Sequence, residues 1–259
     1  MVTYPAMGHS IPSLDLARLL ASHSLAVSYV TTRTIAQRLR GLMDESRQAA
    51  DLDIQLVGLS PPKAIEGLPE GRESMDLLPR KSSLVVHSFV ESLREPFERW
   101  LEEQGSRGPV CIFSDMCIDW TVQSAERFGN ISVIFAPCGA FGTSVFHAIC
   151  GCITANTLRK EGDSVIIDGI LSSAVKFSKE QMPERFLQPD PADMGIRFLM
   201  GKMQSVSKCW GMLVNTFDNL EPRYHTHLKK NNKWLTPLVC CSRSSFRMYC
   251  WSEGENIRH

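Results

Sequence analysis

A chain of 259 residues is long enough for one large domain or two small ones, with a core of useful size. At 43% hydrophobic and 22% charged it has the composition of a globular protein rather than a disordered one. Its formal net charge of zero gives no electrostatic footprint for a nucleic-acid partner.

The opening reads as strand, turn, helix. Val2 to Tyr4 is a short apolar strand and Pro5 to Ser10 the turn, with Gly8 giving backbone freedom. Pro12 suits a first helical position, and Leu14, Leu16, Ala17, Leu19 and Leu20 supply an apolar face. Ala26 to Val30 reads as a second strand, Thr34 to Arg47 as a helix and Asp53 to Leu59 as a third strand. Ser60 to Pro79, with four prolines and two glycines, reads as a long loop. Ser83 to Gln104 has helical periodicity interrupted at Pro96. Val110 to Ser114 is a strand ending at Asp115, Ile118 to Phe128 a helix, and Ser132 to Phe135 a strand.

Gly129 to Leu158 contains no Asp, Glu, Lys or Arg, so a membrane span has to be considered. Pro137, four glycines and His147 make it a poor one, and it reads instead as a buried strand, a loop and a buried helix. No signal peptide is visible, which with the odd count of nine cysteines points to reduced thiols and a cytoplasmic location. No C-x-x-C pair occurs, so no metal is expected, and the first six cysteines read as small buried hydrophobes. Beyond Asp168 the pattern loosens. Phe177 to Phe186 reads as loop or short helix, Met194 to Lys208 as helix, Met212 to Asn215 as strand, and Leu220 to Lys230 as helix.

Strands alternating with helices predict an α/β fold, a Rossmann-like parallel sheet with helices on both faces. Ligands of such sheets sit beyond the carboxyl ends of the strands, and His9 and Asp115 both follow predicted strands. The positive end of the first helix favours a neutral imidazole at His9, which can take a proton from an attacking hydroxyl. A carboxylate at Asp115 would fix its tautomer. Asp119 competes for that role but lies within the expected helix. Gly139 and Gly142 make a weak phosphate-loop signal, since neither a P-loop nor G-x-G-x-x-G is present. G-x-S-x-G and H-E-x-x-H are also missing, and His87, His147, His225 and His227 read as structural.

Five fragments in order carry a more specific signal. They are Pro5-Ala6-Met7-Gly8-His9-Ser10-Ile11-Pro12, then Gly67-Leu68-Pro69-Glu70-Gly71 with Met75-Asp76-Leu77-Leu78-Pro79, then Pro96-Phe97-Glu98. Phe113-Ser114-Asp115-Met116 with Trp120-Thr121 follows, and finally Asn215-Thr216-Phe217-Asp218-Asn219-Leu220-Glu221-Pro222. Together they resemble plant family 1 UDP-glycosyltransferases. That resemblance implies the N-terminal domain of a glycosyltransferase-B fold, with His9 as base, Asp115 as its partner and no metal or other cofactor. It implies inverting transfer from a UDP-sugar co-substrate to a hydroxyl of a small molecule, with Met7, Ser10, Met116 and Phe141 as acceptor neighbours. Where some family members contact the sugar through Ser or Thr, this chain reads Ala136-Pro137-Cys138-Gly139.

The resemblance fades near Trp234. The expectation is an acceptor-binding domain over residues 1–234, an atypical disordered tail over 235–259, and no UDP-sugar-binding domain. On that reading the UDP-sugar becomes a partner only when a donor domain is supplied. A non-catalytic binding module that keeps the acceptor pocket is the alternative, and an unrelated Rossmann-like nucleotide-binding protein is a third.

Overall fold

The computed structural model describes residues 1–50, 52–69, 71–78, 83–168, 170, 175–190, 192–217 and 219–231. The expected tail over 235–259 lies outside these residues. In chain order the elements begin with α1 (Met7–Ser22), β1 (Val27–Thr32), α2 (Arg33–Ala50), β2 (Ile54–Leu59), α3 (Ser83–Ser92) and α4 (Arg94–Gln104). They continue with β3 (Cys111–Asp115), α5 (Trp120–Arg127), β4 (Ile131–Ala136), α6 (Ala140–Ala155), β5 (Arg159–Glu161), β6 (Ser164–Ile167) and β7 (Val175–Ser178). The last are α7 (Glu184–Leu187), α8 (Met194–Val206), β8 (Gly211–Val214) and α9 (Pro222–Asn231).

The expected parallel sheet is present. β1 pairs with β2, and β3, β4 and β8 pair side by side, all in parallel. The N-terminal segment joins the two groups through parallel bridges from Val2 to Val30 and from Val2 to Ser114. The sheet order is therefore β2, β1, the Val2 segment, β3, β4, β8. From its centre the chain steps outward to one edge, then returns to build the other half. The reversal falls between the Val2 segment and β3, which opens a crevice at their carboxyl ends.

Side chains alternate across this sheet, and each face is covered by helices. Val133 and Phe135 of β4 join Tyr29 and Ile54 against Leu14, Leu16, Leu20, Ile35 and Leu39 of α1 and α2. Ile134 and Ala136 of the same strand face Ala140, Met212 and Leu228 on the other side. Val2, Val30 and Ile112 meet Phe89, Phe97, Leu101 and Trp120 from α3, α4 and α5. Burial of each such side chain contributes roughly 1.5–3 kcal/mol.

Three expectations are corrected. The turn over Pro5 to Ser10 is already helical from Met7, and Pro12 sits inside α1 rather than at its start. A proline here removes the backbone donor that would otherwise reach the Gly8 carbonyl. The break between α3 and α4 falls at Leu93, and Pro96 lies in the first turn of α4, where its missing N–H has no helical partner to lose. The stretch after α6 contains an antiparallel sheet of β5, β6 and β7, which buries Val165, Ile167, Ile170 and Met182 against Ile149 of α6. Asn156 in the left-handed region (φ 52°) ends α6 ahead of this sheet.

Candidate active site

His9 stands in the first turn of α1 and Asp115 is the last residue of β3, so both lie at the crevice where the strand order reverses. The His9 Nδ1 is 2.8 Å from Asp115 Oδ2. A carboxylate can only accept, so Nδ1 donates to it, and in a neutral ring Nε2 is then the acceptor. The Asp115 side chain is fully buried while that of His9 keeps 28% of its surface exposed. The acid is thus fixed inside the fold, and the base faces out.

Local sequence holds both groups in place. Asp115 Oδ1 accepts the backbone N–H of Cys117, two residues on, at 2.8 Å, an Asx-type turn that leaves Oδ2 for His9. The backbone of Asp115 is pinned by Val2, whose carbonyl accepts its N–H at 2.9 Å. The Tyr4 ring lies 4.9 Å from the His9 ring. Burial pushes the Tyr4 phenol well above its ordinary range, so it is a neutral neighbour. Gly8 is exposed, and a Cβ there would meet nothing within 4 Å, which leaves open space beside His9.

Two distant carboxylates cap the helices around this crevice. Asp76 Oδ2 accepts the Met7 N–H at 3.0 Å and is held by the Ser74 hydroxyl (3.1 Å) and Arg38 (3.0 Å). Burial opposes its charge, but the Met7, Ser74 and Arg38 contacts outweigh that and hold it below the usual carboxylate range. At α6, Glu221 accepts the N–H groups of Ala140 (2.7 Å) and Phe141 (2.9 Å) and the Thr216 hydroxyl (2.7 Å). Burial raises the Glu221 carboxyl, and these three bonds more than reverse the effect. A Cβ at Gly139 would stand 2.5 Å from Glu221 Oε2, so any larger residue there has to push that carboxylate aside. Sequence reading quoted both acids within motifs without seeing that they are caps.

The four acceptor-neighbour positions differ in placement. Ser10 is fully buried, with its hydroxyl on the Tyr4 carbonyl (3.4 Å) and its own carbonyl accepting from Tyr29 (2.7 Å). Met116 is 7% exposed within the apolar cluster around β4 and β8. Met7 and Phe141 are half-buried, and the Phe141 ring meets Tyr224 at 5.0 Å. Asp119 precedes α5 and makes no side-chain cap bond, and its Oδ1 is buried without a hydrogen-bond partner. Cys150, Cys152 and Cys209 are buried, whereas Cys138 is exposed, which corrects its reading as a buried hydrophobe.

His9, Asp115 and Cys117 place one ligand atom each within 4.8 Å of one another. A metal there would break the His9–Asp115 bond and would have to ionise a thiol that burial pushes up to about 12, so the donor set fits poorly. Two surface hollows lie elsewhere. One of about 490 Å³ is walled by Glu98, Arg94 and Arg127, the other, of about 410 Å³, by Arg33 and Arg40. Among the described residues no helix is long and apolar enough to cross a membrane.

Comparison with known proteins decides the family. The glycosyltransferase N-terminal domain family matches residues 1–236. The chain belongs to that family. UDP-glycosyltransferase 73C1 of Arabidopsis thaliana is 33% identical over 251 residues, covering 93% of this chain and 49% of that protein. UDP-glycosyltransferase 73D1 of the same plant is 32% identical over 225 residues, covering 86% and 43%. The chain spans about half the length of the curated relatives it matches. Among solved structures, Glycyrrhiza uralensis UGT73P12 complexed with glycyrrhetinic acid 3-O-monoglucuronide superposes with a TM-score of 0.72 at 23% identity, over 88% of this chain and 45% of the other. Phytolacca americana UGT2 complexed with UDP-2fluoro-glucose and pterostilbene gives 0.67 at 17% identity, over 94% and 54%. The fold is that of the N-terminal part of these glycosyltransferases.

Proposed function

We propose that this glycosyltransferase chain binds a small hydroxylated acceptor and activates its hydroxyl for attack on a UDP-sugar. The observation that carries the reading is the 2.8 Å contact between His9 and a fully buried Asp115, with His9 still open to solvent. The acceptor hydroxyl donates to His9 Nε2. As its oxygen bonds to the anomeric carbon, the proton passes to Nε2 and the bond from that carbon to the UDP oxygen breaks, inverting the centre. Asp115 stabilises the imidazolium that forms. Met7 and Phe141 contact the acceptor, while Ser10 and Met116 shape the wall from behind.

The neighbours' bound molecules support this class of ligand, since the Phytolacca protein is complexed with UDP-2fluoro-glucose and pterostilbene and the Glycyrrhiza protein with glycyrrhetinic acid 3-O-monoglucuronide. On this reading the UDP-sugar takes part only when a donor-binding domain is supplied, and the reaction runs in the cytoplasm without a metal. A second reading, an acceptor-binding module with no catalysis of its own, is favoured by the carboxylates that already occupy the amino ends of α1 and α6. The test is to mix the purified chain with UDP-glucose and a phenolic acceptor. Calorimetry should show acceptor binding with little or no sugar transfer. Joined to the donor-binding half of a relative, the chain should transfer glucose, and the His9→Ala form should not. Failure of that chimera to act, with acceptor binding intact, would leave the binding module.

A further inference from the structure

Lys202 of α8 is 7% exposed, an unusual burial for an ammonium group. Its Nζ stands 3.6 Å from the centre of the Phe198 ring and 5.9 Å from that of Tyr4. It forms no ion pair within 4 Å with any described carboxylate. The candidates nearby are accounted for. Asp115 is committed to His9 and to the Cys117 N–H. Asp119 passes Gly201, next to Lys202, without reaching its ammonium. The Cys117 thiol hydrogen-bonds the ammonium, but burial keeps both that thiol and the Tyr4 phenol protonated at neutral pH, so neither offers a charge.

Two π faces soften the cost of an isolated buried cation but do not replace an anion. The ammonium is also tied to the dyad. Tyr4 lies against both Lys202 and His9, and Cys117, whose thiol feels Lys202, holds Asp115 through its backbone. The Tyr4 ring is thus common to both, its centre 4.9 Å from the His9 ring and 5.9 Å from the Lys202 Nζ.

We infer that Lys202 seats a carboxylate of the acceptor, so that the acceptors of this chain are hydroxylated acids whose hydroxyl faces His9. This rests on the acceptor-site reading above and narrows its substrate class. Lysine suits the role as a compact point charge that accepts a carboxylate in several orientations.

The test uses two acid and ester pairs on the full chain: 4-hydroxycinnamate and 4-hydroxyphenylacetate, each against its methyl ester, by calorimetry. The wild-type chain should bind each acid about 10-fold or more tighter than its ester. Lys202→Met should bring that ratio to about one while leaving ester affinity and the thermal midpoint in place. Lys202→Arg and Asp119→Asn should both keep the acid preference. Equal binding of acid and ester by wild type, or a preference that survives in Lys202→Met, overturns the carboxylate seat and leaves the acceptor pocket standing. An acid preference that rises severalfold in Asp119→Asn also overturns it, by showing that Asp119 is already the counterion of Lys202. Binding of neither member of either pair overturns the acceptor pocket itself.

Discussion

His9 and Asp115 stand 106 residues apart in the chain and meet at 2.8 Å, because the segment ahead of His9 and the strand that ends at Asp115 are hydrogen-bonded neighbours at the centre of the sheet. The contact depends on this adjacency. Val2 bridges to Ser114, one residue before Asp115, and its carbonyl takes the Asp115 N–H.

Removing either partner should therefore act on catalysis before stability. In a chimera carrying a donor-binding half, His9→Ala should lower transfer by about 10²–10⁴-fold with an unchanged thermal midpoint. Asp115→Asn should fall in the same range, because a neutral amide no longer stabilises the imidazolium. Initial rates of UDP release, with melting curves alongside, check both. An active His9→Ala enzyme would remove the base from the scheme.

Asp76 caps the helix that carries His9. Asp76→Ala should cost about 1–2 kcal/mol in urea unfolding, as the Met7 N–H loses its acceptor and Arg38 its partner. The same change should lower transfer several-fold by loosening the first turn of α1. A variant with full stability and full activity would show that the cap is dispensable.

Glu221 and Gly139 should behave as one unit. Glu221→Ala removes three hydrogen bonds at the start of α6 and should cost about 1–3 kcal/mol. Gly139→Ala should cost a similar amount by pushing the carboxylate off its seat. The double variant should cost less than the two singles together, since the clash disappears with the side chain. Strict additivity in denaturant titrations would contradict the shared origin.

His147 links stability to acid. Burial pulls it from the ordinary 6.5 down to about 4. Between these values the unfolded chain binds a proton that the folded one does not, so stability falls as pH drops from 6.5 to 4 and is unaffected by this group above that window. The loss is at most roughly 3 kcal/mol. His147→Phe should flatten this part of the profile of unfolding free energy against pH.

Much of the parallel sheet was legible because its strands are short apolar runs set between helices with an apolar face. Ile131–Ala136 and Gly211–Val214 stand out in that way. The pairing of His9 with Asp115 was legible too, since the one follows the apolar Val2 segment within the first turn of α1 and the other ends β3. The antiparallel sheet was not, because Arg159–Glu161 is exposed and polar along its whole length and carries no alternation to read. Lys202 was hidden for the opposite reason. A lysine within a helical pattern looks solvated, and only the folded chain shows Phe198 and Tyr4 closing over it. Cys117 was invisible as well, since it acts through a backbone N–H, which every residue but proline has.

The two helix caps bear on where a nucleotide can go. Helix amino ends are natural docking points for diphosphates, yet the amino ends of α1 and α6 both hold a carboxylate of this same chain. An incoming pyrophosphate would meet negative charge at either berth. Neither of these two helix starts is therefore open to a diphosphate.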